Sequence, residues 1–261
     1  MGNKTVRAVL LPVVALAVFV GLWQAICAAF EIKTFTLPAP SAIAVSMYDD
    51  SAILWKHALA TAYLAFVGLA LGVVIGIVIA IFLHFIPVLR DALSPLLVLS
   101  QNVPLIALGP LLMIWFGFGW TPKLILLVLV SFFPVALSML VGLRQSEPQL
   151  REYLDMIGAS RWETLIRLEF PGALTYFFSG LRIAATYVVS SALVAEWLGA
   201  NKGIGYYLKL KSNGFDQPGV FGSIVCVVAL SLLFYYAAVF AERLVIRWRP
   251  RKKGEWKGAS E

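Results

Sequence analysis

Long apolar blocks alternate with short polar ones along the whole chain. Six blocks reach the ~20 consecutive apolar residues that a membrane-spanning helix needs. They cover residues 9–30, 58–86, 96–118, 124–143, 173–199 and 219–246. The ten-residue apolar/polar alternation of a transmembrane barrel strand is absent. The pattern therefore predicts an all-α integral membrane protein with six transmembrane helices. The first block is expected to be a true span and not a cleaved leader, because its apolar run exceeds the usual ~7–15 residues and no convincing cleavage site follows it.

Composition narrows the class further. Of 261 residues, 61% are hydrophobic and 13% charged, against roughly 25% charged in a soluble domain. An ordinary globular fold and a disordered chain are both excluded. The net charge is +7, and its distribution reads as loop charge setting orientation, with no nucleic-acid footprint. With the N-terminus inside, the inner segments hold fourteen Lys and Arg against six in the outer ones. That bias places both termini of a multi-pass membrane protein in the cytoplasm. Cys27 and Cys226 fall in apolar runs, which gives core positions and no disulfide framework.

Three organisational units follow. Residues 1–57 hold the first span and an outer segment in which Leu37-Pro38-Ala39-Pro40-Ser41 starts a short helix. Residues 58–246 form the core, including a loop at 144–172. Residues 247–261 are a basic tail, read as an anchor against anionic lipid. Within the second span, Gly68, Gly72 and Gly76 recur every four residues, so one face admits a close neighbour, either within the subunit or at a dimer seam. The third span carries Pro104, Gly109 and Pro110. A broken helix persists in a membrane only where protein or water satisfies the freed backbone. Pro104 and Gly109 are thus candidates to face a pathway, with a simple packing kink as the alternative.

The loop between the fourth and fifth spans is the longest inner one and has helical periodicity. Leu150, Tyr153, Leu154 and Ile157 make one apolar face. Gly158 is placed to end that helix. Ser160 and Glu163 form a capping-box pattern for a second helix, and Pro171 is expected to stop it before the fifth span. Two short amphipathic helices bent at a glycine suit docking to a partner protein. An interfacial hairpin lying on lipid is the alternative, against which Glu152, Asp155, Glu163 and Glu169 argue by their charge.

Charges inside spans default to a functional reading. Arg182 and Glu196 lie fourteen residues apart, roughly 21 Å along a helix, so they cannot pair within it. Arg182 can snorkel or bond backbone carbonyls. Glu196 and Trp197 near the outer mouth can contact a flat polar solute, or Trp197 can be a belt residue. His57 and His84 have no Cys, Asp or Glu at metal-ligand spacing, and no metal site is expected. No G-x-S-x-G, H-E-x-x-H or G-x-x-x-x-G-K-[ST] occurs. An intramembrane protease and ATP hydrolysis by this chain are disfavoured accordingly. A proton-coupled secondary transporter would want several buried acids and an inverted repeat, and neither is evident.

The run Glu152-Tyr153-Leu154-x3-Gly158-x9-Leu168-Glu169-Phe170-Pro171 resembles the E-A-A-x3-G-x9-I-x-L-P loop of ABC importer permeases. Glu152, Gly158 and Pro171 match outright, Leu168 replaces Ile, and Tyr153, Leu154 and Phe170 depart from Ala, Ala and Leu. The Leu37–Ser41 segment, the run from Val103 to Gly117, and Ser179-Gly180-Leu181-Arg182 are similar to the nitrate, sulfonate and taurine branch. The resemblance implies a type I ABC importer permease fold. It also implies two cytoplasmic ATPase subunits docked on the loop, with Glu152, Asp155, Gly158, Ala159, Ser160, Leu168 and Pro171 as the coupling residues. An extracytoplasmic substrate-binding protein and a second permease copy, expected to be identical, complete the assembly, which the resemblance places in a bacterial inner (plasma) membrane. This chain would bind no cofactor, ATP and Mg residing on the partner. Phe132-Phe133-Pro134 and Glu196-Trp197-Leu198-Gly199 are most similar to permeases for pyrimidine-type thiamine precursors, with sulfonate, taurine or nitrate as the other solutes.

Overall fold

A computed structural model describes residues 2–100 and 102–246, so the basic tail expectation at 247–261 lies outside the described residues. Every regular element among them is helical. Among the described residues, five helices are long and apolar enough to cross a membrane: Leu10–Ala29, Ser51–Phe85, Trp120–Arg144, Arg161–Gly199 and Gln217–Val245.

The first span lies in α1 (Gly2–Ala29). Helix α2 (Pro40–Asp49) starts at Pro40 in a first-turn position, where the missing N–H costs nothing; this is the short helix expected there. It corners at Asp50 into α3 (Ser51–Phe85), which begins seven residues before the apolar block does. The expected third span at 96–118 is not one helix. It is α4 (Pro87–Ser100) followed by α5 (Leu105–Phe116). Pro104 removes a donor and holds extended geometry (φ −62°, ψ 118°) at the start of α5, which is why the helix cannot run through.

Helix α6 (Trp120–Arg144) leads to α7 (Pro148–Met156) and α8 (Arg161–Thr164). Here a second expectation fails. Pro171 does not stop α8 short of the next span, because α8 passes through a π-turn at Leu165–Glu169 directly into α9 (Phe170–Gly199). Proline cannot donate to the carbonyl four residues back, and the wider turn just before it absorbs that loss. The result is one helical rod over Arg161–Gly199. At 1.5 Å per residue it runs roughly 55–60 Å, well beyond a ~30 Å hydrocarbon core. A further helix that the apolar pattern does not reveal, α10 (Ile204–Asn213), precedes α11 (Gln217–Val245).

The core is built on α3, α6 and α9. Gly68, Gly72 and Gly76 of α3 meet Leu127, Ser131 and Val135 of α6. Numbers rise together on both helices, so the two run parallel. A Cβ at Gly72 would lie 2.5 Å from the Ser131 Cβ, so only glycine permits this approach. The small-residue face is therefore seated within the chain. Gly142 and Gly180 meet Ala173 and the Pro134 carbonyl in the opposite order, so α6 and α9 are antiparallel. Ala184, Ala185, Val188, Val189 and Ala192 of α9 are fully buried in this contact layer. By contrast α1 and α11 turn most of their apolar side chains outward, Leu16, Phe19, Leu233 and Phe240 among them, as lipid-facing helices do.

Candidate functional site

The 144–172 loop forms a compact knuckle on one face of the bundle. Helix α7 ends in a glycine cap: Ala159 N–H donates to the Leu154 carbonyl (3.0 Å) and Gly158 N–H to that of Asp155 (3.1 Å). This is the paired bonding of a Schellman motif with its left-handed residue at Gly158 (φ +75°). Ser160 then caps α8. Its Oγ accepts from Glu163 N–H at 3.3 Å, and its own N–H donates to Glu163 Oε2 at 2.9 Å. The capping box read from the sequence is thus present.

What the knuckle shows to the outside is apolar. Leu150, Tyr153 and Met156 of α7 and Ile157 at its C-cap are exposed, with Met156 at 78%. Glu152 and Asp155 flank them, and Glu152 is also exposed. No residue of α7 is buried. The inner side is tied down instead. Glu169, 2% exposed, faces His84 Nε2 at 2.7 Å and Arg151 at 3.4 Å, joining the π-turn, α3 and α7. Trp162 stacks on Phe85 with ring centroids 6.0 Å apart. Glu169 is thus an internal tie and not one of the acids that would meet headgroups. Leu168 is half-buried in the π-turn, and Pro171 is half-buried in the first turn of α9.

The opposite face closes around Glu196. This residue is 2% exposed, and Thr61 beside it is fully buried. The Thr61 hydroxyl lies 2.9 Å from both Glu196 carboxylate oxygens and accepts Ile204 N–H at 2.8 Å. Gly205 N–H donates to Glu196 Oε2 (2.9 Å), and Gly203 N–H to His57 Nδ1 (3.0 Å). Gly203 has φ +111°, and a Cβ there would fall within 2.3 Å of the Glu196 carboxyl. Asp50, Tyr207, Lys211 and Asp216 continue the fastening. Asp50 accepts from Tyr207 OH at 2.6 Å, and Lys211 donates to Asp216 at 2.7 Å while pairing with Asp50. The Lys211 ammonium and then the Tyr207 hydroxyl hold the Asp50 carboxyl below its usual range. Burial and then the Asp50 bond push the Tyr207 phenol up. Burial opposes the Lys211 charge, but its bonds to Asp216 and Asp50 outweigh it and raise its pKa.

The remaining candidates separate. Glu196 lines an outer pocket with Tyr63, Trp120, Lys123, Asn201 and Lys202, while Trp197, half-exposed, is not among its walls. Gly109 is buried where a Cβ would strike Leu198 of α9. Pro104 lines a different groove between α5, α6 and α9, with Asn102, Phe133, Pro134, Ile183 and Tyr187. Arg182 sits beside that groove with Tyr187. Its guanidinium donates to Glu242 of α11 and to Ser179 Oγ (3.1 Å). Sequence reasoning did not foresee the His84–Glu169 and Arg182–Glu242 pairs. Both join residues far apart in the chain, and the only available signal was an acid or base near a span end (His84, Glu169, Glu242) or inside a span (Arg182).

The family profile described as "Binding-protein-dependent transport system inner membrane component" matches residues 72–249. A formylaminopyrimidine transport permease protein, ThiX, of Halalkalibacterium halodurans is 35% identical over 84% of this chain and 88% of its own length. The taurine transport system permease protein TauC of Escherichia coli is 28% identical over 93% of this chain and 90% of its own. An inward-facing structure of the MetNI methionine ABC transporter aligns over 76% of this chain and 98% of its own. Its TM-score is 0.67 at 20% identity, a likeness of fold.

Proposed function

The chain belongs to the family of binding-protein-dependent transport system inner membrane components, and from that premise we propose how it couples an energy source to a solute. It is the permease subunit of an ABC importer, an integral inner-membrane protein and not an enzyme. Our reading is that two cytoplasmic ATPase subunits, which hold ATP and Mg, dock on the knuckles of two identical permease copies. A substrate-binding protein delivers the solute to the opposite face. Both chain termini then lie in the cytoplasm.

One observation carries this reading. The knuckle combines an unburied apolar row with two capped helix ends, and its second half is continuous with α9 through the π-turn. An exposed apolar patch of this kind marks a docking surface. A groove in the ATPase that grips α7 and moves with nucleotide therefore moves α9 as a lever. Two discrete arrangements biased by binding suffice for alternating access. The half-open groove between α5, α6 and α9 supports a pathway closed by a second copy, with Pro104, Phe133 and Tyr187 on its wall.

For the solute we favour a pyrimidine-type thiamine precursor. The ThiX relative carries that chemistry in its name. None of the described residues lining the groove is charged, and the neighbouring Arg182 is matched by Glu242, which suits a neutral heteroaromatic ring. A second reading, an alkyl sulfonate such as taurine, has Lys123 and Lys202 at the outer pocket in its favour. Uptake into proteoliposomes holding the permease, its ATPase and its binding protein decides between them. The expected result is ATP-dependent uptake of an aminopyrimidine that excess taurine does not inhibit. Preference for taurine overturns the solute, and uptake without the ATPase overturns the coupling.

A further inference from the structure

On its membrane-facing side the knuckle encloses a cavity of about 390 Å³. Its walls come from the end of α3, the start of α4, the end of α6, α7, α8 and the π-turn. Four guanidiniums line it, those of Arg90, Arg144, Arg151 and Arg161, against two carboxylates, Asp155 and Glu169. Arg90 is paired with Asp91 (2.8 Å), and Arg151 with Glu169. Among the described residues, the side chains of Arg144 and Arg161 have no hydrogen bond or ion pair. Thr164, 4% exposed, also lines the cavity, and its buried hydroxyl has no hydrogen-bond partner.

We propose that this cavity is an anion site for a phosphate group, formed by Arg144, Arg161 and the Thr164 hydroxyl. Guanidinium groups match phosphate oxygens with paired N–H donors. A buried hydroxyl left unpaired is costly, and an oxygen acceptor within the cavity relieves that cost. With Arg90 held by Asp91 and Arg151 by Glu169, Arg144 and Arg161 face the single carboxylate of Asp155, and the remaining excess of one positive charge matches a singly charged phosphate ester or dihydrogen phosphate. Two sources share this chemistry. One is the headgroup of an anionic phospholipid, since the cavity borders exposed apolar residues such as Val88 at the start of α4; the other is free phosphate. Either ligand would brace the knuckle against α3 and α6, in addition to the Glu169 tie.

The test uses the full-length permease without its ATPase. One arm reconstitutes it in nanodiscs of phosphatidylcholine with a minority of phosphatidylglycerol and counts retained lipid by native mass spectrometry. The other titrates inorganic phosphate against chloride at equal ionic strength and follows the melting temperature in detergent. Arg144→Gln/Arg161→Gln is compared with wild type and with Arg243→Gln on α11. Thr164→Val, which keeps the volume, serves if the double variant does not fold. Either a fivefold or greater loss of retained phosphatidylglycerol, or loss of phosphate-specific stabilisation, in the cavity variants alone supports the site and names its source. For Thr164→Val a threefold loss suffices. Equal retention and equal phosphate response in wild type and cavity variants overturn the proposal. So does a defect that appears only as weaker assembly with the ATPase, which would mean that the arginines meet an acidic side chain of that partner.

Discussion

Helices α7 and α10 are both short excursions between spans, nine and ten residues long, on opposite faces of the bundle. They differ in how they are held. None of α7 is buried, whereas Ile204, Gly205, Tyr207 and Leu208 of α10 are. Helix α7 is stiffened at its ends, by the Schellman turn at Gly158 and the capping box at Ser160. Helix α10 is fastened along its body, by Glu196, Thr61 and the Asp50–Lys211–Tyr207 cluster. A segment that another protein must grip keeps its apolar side free. A segment that must hold two spans together uses its polar and apolar groups internally. The contrast teaches that the two faces answer differently to mutation: the knuckle through coupling, the outer corner through folding.

The strongest test of that contrast lies in the knuckle. Gly158→Pro cannot adopt φ near +75°, and Glu152→Lys reverses an exposed charge on the docking row. Each is expected to reduce ATP-dependent uptake at least tenfold, equivalent to about 1.4 kcal/mol of lost coupling. Insertion and melting temperature should change little. Normal uptake in both variants would remove the coupling role.

The outer corner should respond the other way. Glu196→Ala leaves the buried Gly205 N–H without its acceptor, at roughly 1–3 kcal/mol, while the Thr61 hydroxyl keeps only the His57 carbonyl to donate to. The expected readout is a lowered melting temperature and poor yield, with ATPase affinity unaltered. Glu196→Gln sharpens the point. If it folds normally yet changes solute preference, Glu196 is a pathway residue as well as a fastener.

A smaller effect is expected at Ser160→Ala, which removes the N-cap of α8 at about 1 kcal/mol. Hydrogen exchange should rise at Arg161–Thr164, with uptake falling less than for Gly158→Pro. An unchanged exchange rate would mean that the π-turn alone holds α8.

The smallest effect is a pH dependence. The folded pKa of Asp50 is lowered, so its contribution is present above the unfolded value near 3.9 and lost as pH falls through the lower folded value. That of Lys211 is raised, so its contribution is present below about 10.4 and lost as pH climbs through the folded value. The Asp50–Lys211 contribution to the fastening should thus be flat between about pH 5 and 9. Lys211→Ala should lower stability by less than about 1 kcal/mol, equally at both ends. A steep change within that window would show that another group controls the corner.

Much of the knuckle was legible because its signals are local. Gly158, Ser160 and Glu163 act within three or four residues of one another, and the structure reproduces their caps. The helix at Pro40 was readable for the same reason. What escaped depends on distance or on competition. Helix α10 is too polar and too short to register as an apolar block, and it is set by Glu196 and Thr61 reaching across from two spans. The third span broke earlier than its hydropathy suggests, because Pro104 acts on the backbone regardless of how apolar the run is. Pro171 misled in the opposite sense, since a π-turn lets a helix pass a proline that local rules would treat as its end.

Helix α7, on the reading proposed above, is the surface an ATPase grips. A photo-crosslinking residue at Met156, the most exposed apolar position of α7, measures this in the assembled transporter within native membranes. Crosslinks to the ATPase subunit are expected, changing in yield between nucleotide-free and ATP-bound states. Crosslinks to lipid alone, unchanged by nucleotide, would contradict it.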